Sequence, residues 1–456
     1  MPSASLHHVD ADHSAAVPVI QRHAHELTGA PADYTPLVER LGRARFALLG
    51  EATHGTQEFY KERVAITQRL IKEQGYTAVA VEADWPDAYR VNRYVRGLDG
   101  DADADSALSD FKRFPTWMWR NRVVLDFVQW LREHNQRLPA EAQVGFYGID
   151  LYSLFSSIDG VLGYLDQVDP EAAQRARFRY ACFDRFHEDS QAYGYAASFS
   201  MNKTCEDNVV SQLVEMTRAR CDYARRPVHD DPDAFFFAEQ NARLVKNAEA
   251  YYRTMFSGRV SSWNLRDQHM VETLQALDAH LAARASGKGA PRMAVWAHNS
   301  HLGDASATEM GQQGEWNVGQ LMRERYGEQS FRVGFSTYEG TVTAASAWNG
   351  RVERKRVRPG LSGSYEALFH EAGIPRLMLF GDDAALAQAL EAPRLQRAIG
   401  VVYAPQTERQ SHYFHARLFD QFNAMIHIDA THGVEPLEPG PGWMSTEAPD
   451  TYPSGL

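Results

Sequence analysis

Carboxylates and imidazoles recur in this chain where short apolar runs stop. Leu48-Leu49 leads into Gly50-Glu51-Ala52-Thr53-His54-Gly55, and Val79-Ala80-Val81 ends on Glu82. Ile149 is followed by Asp150, and Trp296-Ala297 by His298-Asn299-Ser300-His301. An imidazole steered by a carboxylate accepts a proton from water near neutral pH, a general-base step worth about 10²–10⁴ in rate. Glu51 and His54 are the first candidates, set between two glycines that permit a tight bend or the close approach of a ligand. Taken singly, Glu51 reads as a helix cap and His54 as a packing residue. Four such endings on the rim of one sheet favour a site that also includes Glu82 and His298, because ligands gather beyond the carboxyl ends of parallel strands.

Arg63 falls two turns into the helix predicted from about Gln57. By spacing alone it makes a surface ion pair with Glu58, worth a few tenths of a kcal/mol; the functional alternative has it bind a carboxylate of the site or a substrate oxygen. His298-x-x-His301 and His412-x-x-His415 have a spacing that suits a metal, and Glu51 and Glu82 would complete a shell. No HExxH motif or cysteine-rich ligand set accompanies them, so the reading adopted has no metal and no cofactor, with a divalent metal as the minority alternative. His412 and His415 read as ordinary loop or helix-start residues. The acidic run Asp99–Asp105 departs from a calcium loop at its sixth and twelfth positions, Ala104 and Asp110, and reads as a solvated loop. There is no G-x-S-x-G elbow, phosphate loop or dinucleotide fingerprint. Ester cleavage by this chain would therefore use activated water rather than an acyl-serine.

The elements that must position these groups form an α/β fold, a largely parallel central sheet flanked by helices. Strands are predicted at Arg45–Gly50, Thr77–Glu82, Val144–Ile149, Arg292–His298, Phe331–Ser336, Arg376–Phe380 and Ala398–Tyr403, with a further one at Gly340–Ala345 paired near Val352–Val357. Residues 1–18 read as a flexible N-terminus and 19–152 as the first part of the core. Residues 153–285, charged and with apolar positions at helical spacing, read as a helical lobe; 286–432 are the second part of the core and 433–456 a loosely held Pro/Gly-rich tail. Lys and Arg number 47 against 59 Asp and Glu, a net charge of −12. That balance works against nucleic-acid binding and against anionic membranes. Cys182, Cys205 and Cys221 are odd in number and lack C-x-x-C spacing, so neither a disulfide framework nor a zinc site is expected. With no basic-then-apolar leader and no spanning apolar run, the expected location is the cytoplasm.

The runs LLGEATHGTQE (Leu48–Glu58), VEADW (Val81–Trp85), RFPTWMWRN (Arg113–Asn121), Asn264-Leu265-Arg266-Asp267 with Met270, and WAHNSH (Trp296–His301) resemble the erythromycin esterase-like hydrolases, in order from about residue 20 to about residue 430. The resemblance implies an α/β core with a helical lobe over a cleft, and an esterase of the kind that opens the lactone of macrolides. It implies His54 as general base, oriented by Glu51 or Glu82, with His298 as a further catalytic residue and Arg63 or a protonated His298 stabilising the oxyanion. It assigns Arg63, His301 and Asp267 to substrate binding, the substrate being a small-molecule ester. Trp117–Trp119 and the helical lobe would then wall the cleft. More distantly, the GExxH pattern is similar to a superfamily with haem-binding lipoproteins and Tiki-type metalloproteases, which leaves a metal-dependent hydrolase and a non-catalytic ligand or haem binder as alternatives.

Overall fold

Apolar residues at every position of a short run suit a strand covered on both faces, and the strands beneath the site have that composition. The structure is a computed structural model that describes residues 13–444, apart from 99, 187–188, 199–203, 224, 226–230, 232, 257 and 285–288. Its strands are β1 (His25–Glu26), β2 (Phe46–Leu49), β3 (Ala78–Asp84), β4 (Gly145–Asp150), β5 (Met293–Trp296), β6 (Ser330–Ala344), β7 (Glu353–Val357), β8 (Arg376–Phe380), β9 (Arg394–Arg397), β10 (Tyr413–Ala416) and β11 (Ala424–Thr431). The chain forms two compact units. The first takes Met1–Val79, Asp103–Leu131 and Arg292–Leu456; the second takes Ala80–Ala102 and Arg132–Pro291.

In the first unit the strands lie in the order β1-β8-β11-β6-β2-β5. The pairs β11/β6, β6/β2 and β2/β5 are parallel, while β8/β11 and β1/β8 are antiparallel. Phe46, Ala47, Leu48 and Leu49 of β2 are all fully buried, and Leu49 sits in register with Trp296 of β5 and Val333 of β6. The predicted strands at 331–336 and 340–345 are one continuous β6. Between the two runs lies Gly340, whose φ of +134° suits glycine and where a Cβ would lie 2.0 Å from the Thr431 carbonyl oxygen. β7 pairs antiparallel with the second half of β6, as the sequence suggests.

The second unit holds Ala80–Asp84 of β3, the neighbouring β4, and the long helices Leu154–Val168, Pro170–Tyr180, Glu206–Arg218, Ala234–Thr254 and Arg259–Arg284. The predicted helical stretch 153–285 lies inside this unit, which also takes in residues 80–102 and 132–152. Its helices pack closely: a Cβ at Gly160 would lie 2.6 Å from Nδ2 of Asn241, and one at Gly194 would lie 2.4 Å from the carbonyl oxygen of Tyr252.

Several expectations are corrected. Cys182 and Cys205 form a disulfide across 23 residues, leaving Cys221 as the free thiol. The pairing arises because Cys182 follows Pro170–Tyr180 and Cys205 precedes Glu206–Arg218, and these two helices are tied together by Arg175 and Arg179 on Glu215. Ala398–Tyr403 is not a strand; Ile399 and Val402 make single bridges to Thr53 and Ala345 instead. The first helix starts at His13, inside the segment expected to be flexible, while residues 1–12 lie outside those described. The start of the expected tail is tied down: the Val434 and Leu437 amides donate to the carbonyls of Gly55 and Arg120, and the Arg122 amide to that of Glu435. Residues 445–456 lie outside those described, as does Asp99 of the acidic run. In the rest of that run Asp101 holds Arg90 in the second unit, and Asp103 caps Ala104–Leu108 in the first. Among the described residues no helix is long and apolar enough to cross a membrane.

Candidate active site

The turn after β2 folds as it does because its glycines are hemmed in by backbone. A Cβ on Gly55 would lie 1.8 Å from the Thr343 carbonyl oxygen, and one on Gly50 would lie 2.2 Å from Oδ1 of Asn299. The Gly55 carbonyl accepts from the Thr343 and Val434 amides, and the Tyr60 hydroxyl donates to the His54 carbonyl at 3.0 Å. These contacts fix the backbone on both sides of His54 before any side-chain chemistry begins.

Within this turn Nδ1 of His54 lies 2.9 Å from Oε1 of Glu51, and Nη2 of Arg63 lies 2.5 Å from Oε2 of the same carboxylate. A carboxylate can only accept, so Nδ1 of His54 carries the hydrogen in this bond, and in the neutral ring the lone pair lies on Nε2. Nε2 meets no hydrogen-bond partner among the described residues. Glu51 and Arg63 are buried at 1% and 0% exposure; His54, at 8%, is the member of the three with surface left. Arg63 lies over the rings of Tyr60 and Trp296, at 4.6 and 5.2 Å to the centroids. Nε1 of Trp296 in turn donates to Thr67 at 3.0 Å.

The spacing argument for Arg63 thus fails in a specific way. Phe59, Tyr60, Glu62 and Arg63 share the buried face of helix Gln57–Gln74, so the guanidinium turns inward to Glu51. Glu58 instead accepts from the backbone amide and Nδ1 of His432, each at 2.8 Å. Arg63, expected to bind substrate, is fully buried with its guanidinium on Glu51.

The end of β5 supplies the second half of this arrangement. The ring of His298 stands 4.7 Å from that of His54, tilted by 44°. Nδ1 of His298 accepts from the Ser300 amide at 3.2 Å and lies 2.8 Å from Ser300 Oγ, capping the short helix Asn299–Leu302. A ring nitrogen that accepts an amide hydrogen is unprotonated, which places the hydrogen of neutral His298 on Nε2. His301 is buried within the same short helix. Asn299 was missed by the sequence reading, although it sits inside the AHNSH run. Its amide donates to the Glu51 carbonyl at 2.8 Å, its Nδ2 donates to the Phe335 carbonyl at 2.7 Å, and its Oδ1 accepts from the Phe335 amide at 3.3 Å. It fastens the His298 loop to both the Glu51 turn and β6.

Glu82 and Asp267 belong to the second unit. There Oε1 of Glu82 accepts from Nη2 of Arg266 at 2.7 Å, and Asp150 takes Nε and Nη2 of the same guanidinium at 2.9 and 2.7 Å. The guanidinium lies 4.8 Å over the ring of Tyr152. Burial opposes its charge, but Asp150, Tyr152 and Glu82 outweigh burial and hold its pKa above the ordinary value. Nothing in the run Asn264–Asp267 singles out Arg266; its role becomes visible only once two strand ends and a helix are placed. Asp267, its neighbour, is fully buried among the helices, with no surface for a substrate. Nearby His269 is neutral: burial pushes its pKa down to about 4.

The second histidine pair has structural tasks. His415 lies in β10, not in a loop, with its amide and Nδ1 on Oε2 of Glu309 at 2.9 and 3.1 Å. Nε2 of His412 accepts from the Ala404 amide at 3.1 Å. Trp117 and Trp119, expected to wall a cleft, are buried at 2% and 6% exposure, because the segment folds into a short turn of helix that packs both indoles inward. Among the described residues no group of three or more His, Cys, Asp or Glu is arranged to hold a metal ion.

Comparison with known proteins places this geometry. The family model described as erythromycin esterase matches residues 71–431, a stretch that contains Glu82, Asp267, His298 and His301 and begins after Glu51, His54 and Arg63. A curated Escherichia coli protein, erythromycin esterase type II, is 22% identical over 366 residues, covering 76% of this chain and 83% of its own. Three solved structures share the fold. A Bacillus cereus protein aligns with a TM-score of 0.76 at 20% identity, covering 93% of this chain and 99% of its own. A succinoglycan biosynthesis protein aligns at 0.71 and 20% identity, covering 94% and 99%. A mutant of the erythromycin esterase EreC in its open conformation aligns at 0.62 and 15% identity, covering 91% and 99%. With the family model spanning most of its length, the chain belongs to the erythromycin esterase family.

Proposed function

We propose that this chain hydrolyses a carboxylic ester by direct attack of water, with His54 as the base. The observation that carries the reading is the bonded series Arg63–Glu51–His54, which fixes one tautomer and leaves Nε2 as the acceptor. Water gives its proton to Nε2 as its oxygen bonds to the ester carbonyl carbon, and the carbonyl electrons move onto oxygen. Glu51 stabilises the imidazolium so formed, while Arg63 holds Glu51 in place; Arg63 is a positioning residue. The Nε2 hydrogen of neutral His298, on the neighbouring ring, is the donor to the developing oxyanion. When the intermediate collapses, His54 returns its proton to the departing alkoxide. Glu82 is committed to Arg266, so the base's partner in this reading is Glu51. Macrolide lactones are the first substrate class to examine, because the curated relative and one structural neighbour are named as erythromycin esterases.

The test is turnover of a panel of macrolides and simple aryl and alkyl esters, with and without a chelator. His54→Ala is expected to lower kcat/KM by about 10²–10⁴, and Glu51→Gln to lower kcat by a smaller factor. Chelation is expected to leave the rate unchanged. A rate that survives His54→Ala, or one abolished by chelator and restored by metal, would overturn the mechanism.

A further inference from the structure

A second arrangement of polar groups, unrelated to His54, lies on β7. Lys355 and Glu353 are two residues apart on this strand and so project to one face; their partners across the antiparallel pair are Val342 and Ala344 of β6. That face packs toward Ile399 and Tyr403, which form a small apolar cluster with Val342, Ala344 and Val357. The strand therefore carries a lysine and a glutamate along the margin of an apolar patch. Between them and the loop after β6 is a cavity of about 160 Å³, whose walls include Ser346, Glu353, Lys355, Tyr403 and Pro405. Tyr403 offers the cavity its ring, since its hydroxyl already donates to Glu408 at 2.9 Å.

The polar members are bonded in series. Nζ of Lys355 donates to Oγ of Ser346 at 2.7 Å, and Oγ of Ser346 donates to Oε1 of Glu353 at 2.8 Å. A hydroxyl that accepts from an amine and donates to a carboxylate is a path along which the amine's proton can reach the carboxylate. Lys355 is half-buried while Ser346 is exposed, so the amine is screened from bulk water and still reachable.

We propose that Lys355, with Ser346 and Glu353 as its proton relay, is a nucleophilic amine site that condenses with small aldehydes or ketones. The ammonium gives one proton through Ser346 to Glu353. The free amine then forms a C–N bond to the carbonyl carbon as the C=O electrons move to oxygen. The relay returns the proton, the carbinolamine loses water, and an imine remains; no oxidant or reductant is consumed. Burial lowers the pKa of this ammonium below the ordinary lysine value, and Glu353 offsets only part of that effect, so the free amine is more accessible near neutral pH than on an exposed lysine. The cavity volume suits a carbonyl compound of a few carbon atoms.

The experiment treats the full chain with propanal and cyanoborohydride at pH 7.5, which traps the imine as a secondary amine, and follows each lysine by peptide mass spectrometry. Lys355 is expected to be modified at least tenfold faster than the exposed Lys61 and Lys112. Ser346→Ala and Glu353→Gln should each slow Lys355 several-fold, with Lys61 and Lys112 unchanged and the melting temperature preserved. Lys355 reacting no faster than the exposed lysines would overturn the proposal, and unchanged rates in both relay variants would overturn the relay. None of these three residues takes part in the ester-cleaving reading, so either proposal stands or falls alone.

Discussion

Each unit of this molecule buries an arginine against carboxylate, and the two do so in opposite proportion. In the first, one carboxylate is shared: Glu51 accepts from Arg63 on one oxygen and from His54 on the other. In the second, one guanidinium is shared: Arg266 holds Glu82 and Asp150 together over Tyr152. A carboxylate between a fixed cation and an imidazole governs the tautomer and charge of that imidazole. A guanidinium between two carboxylates offsets one of their two charges and ties both to one place. Similar residue types therefore give a cluster organised around an imidazole in one unit and around a guanidinium in the other.

Removing each arginine is the sharpest way to break the comparison. Arg266→Met leaves Glu82 and Asp150 buried without their shared cation, and unfolding in denaturant should show a loss of about 4–5 kcal/mol. Arg63→Met leaves one carboxylate that still has His54, so a smaller loss of about 3 kcal/mol is expected, accompanied by a large fall in kcat. If Arg63→Met lost stability but kept full turnover, the first cluster would be as structural as the second.

Acid should sharpen the contrast on a smaller scale. His269 in the second unit has a folded pKa depressed to about 4 by burial. In the first, burial likewise depresses His427, whose Nδ1 lies 2.8 Å from Ser336 Oγ and whose Nε2 meets Asp429 at 3.0 Å. Burial pushes the Asp429 carboxyl up, but its bonds to His427 and His370 outweigh that and hold it low. A depressed histidine stabilises the fold while neutral, so its contribution is complete above the unfolded value near 6.5 and is lost as pH falls below it; the depressed aspartate's contribution is lost only at still lower pH. Stability should fall by about 2 kcal/mol between pH 7 and pH 4.5, and a His269→Asn variant should flatten that slope. A slope unaltered by the substitution would place the acid sensitivity elsewhere.

The smallest effect belongs to the ion pair outside both clusters. His432 is largely exposed where it meets Glu58, so Glu58→Ala should change stability by less than about 0.5 kcal/mol and leave turnover intact.

How far the sequence announced this molecule can be judged from the same residues. The strands that carry Glu51, Glu82, Asp150 and His298 were legible because burial on both faces forces continuous apolar runs. β11 was not, because His427 and Asp429 interrupt its apolar pattern; the alternation in Ile426–Ala430 was the available signal. Ala398–Tyr403 has the composition of a strand but is spent on single bridges to two different segments. The pairing of His54 with a carboxylate was readable from a glycine-flanked turn, but the choice of Glu51 over Glu82 was not, since the strand that ends on Glu82 looks equally able to supply it. The inward turn of Arg63 was not, since helical spacing gives neighbours along the surface and says nothing about which face is buried. Arg266 was out of reach for the same kind of reason, as its two carboxylates come from strands far away in the chain.

The first unit is assembled from three separate stretches, the last of which extends past Val434 to meet Gly55. The turn bearing His54 draws its walls from far along the chain: Asn299, Thr343 and Val434. The long interval between this turn and its last contacts places a loop-closure cost on completing it. A fragment ending before His432 would contain every residue proposed for ester cleavage and still lack the contact that helps hold His54 in place.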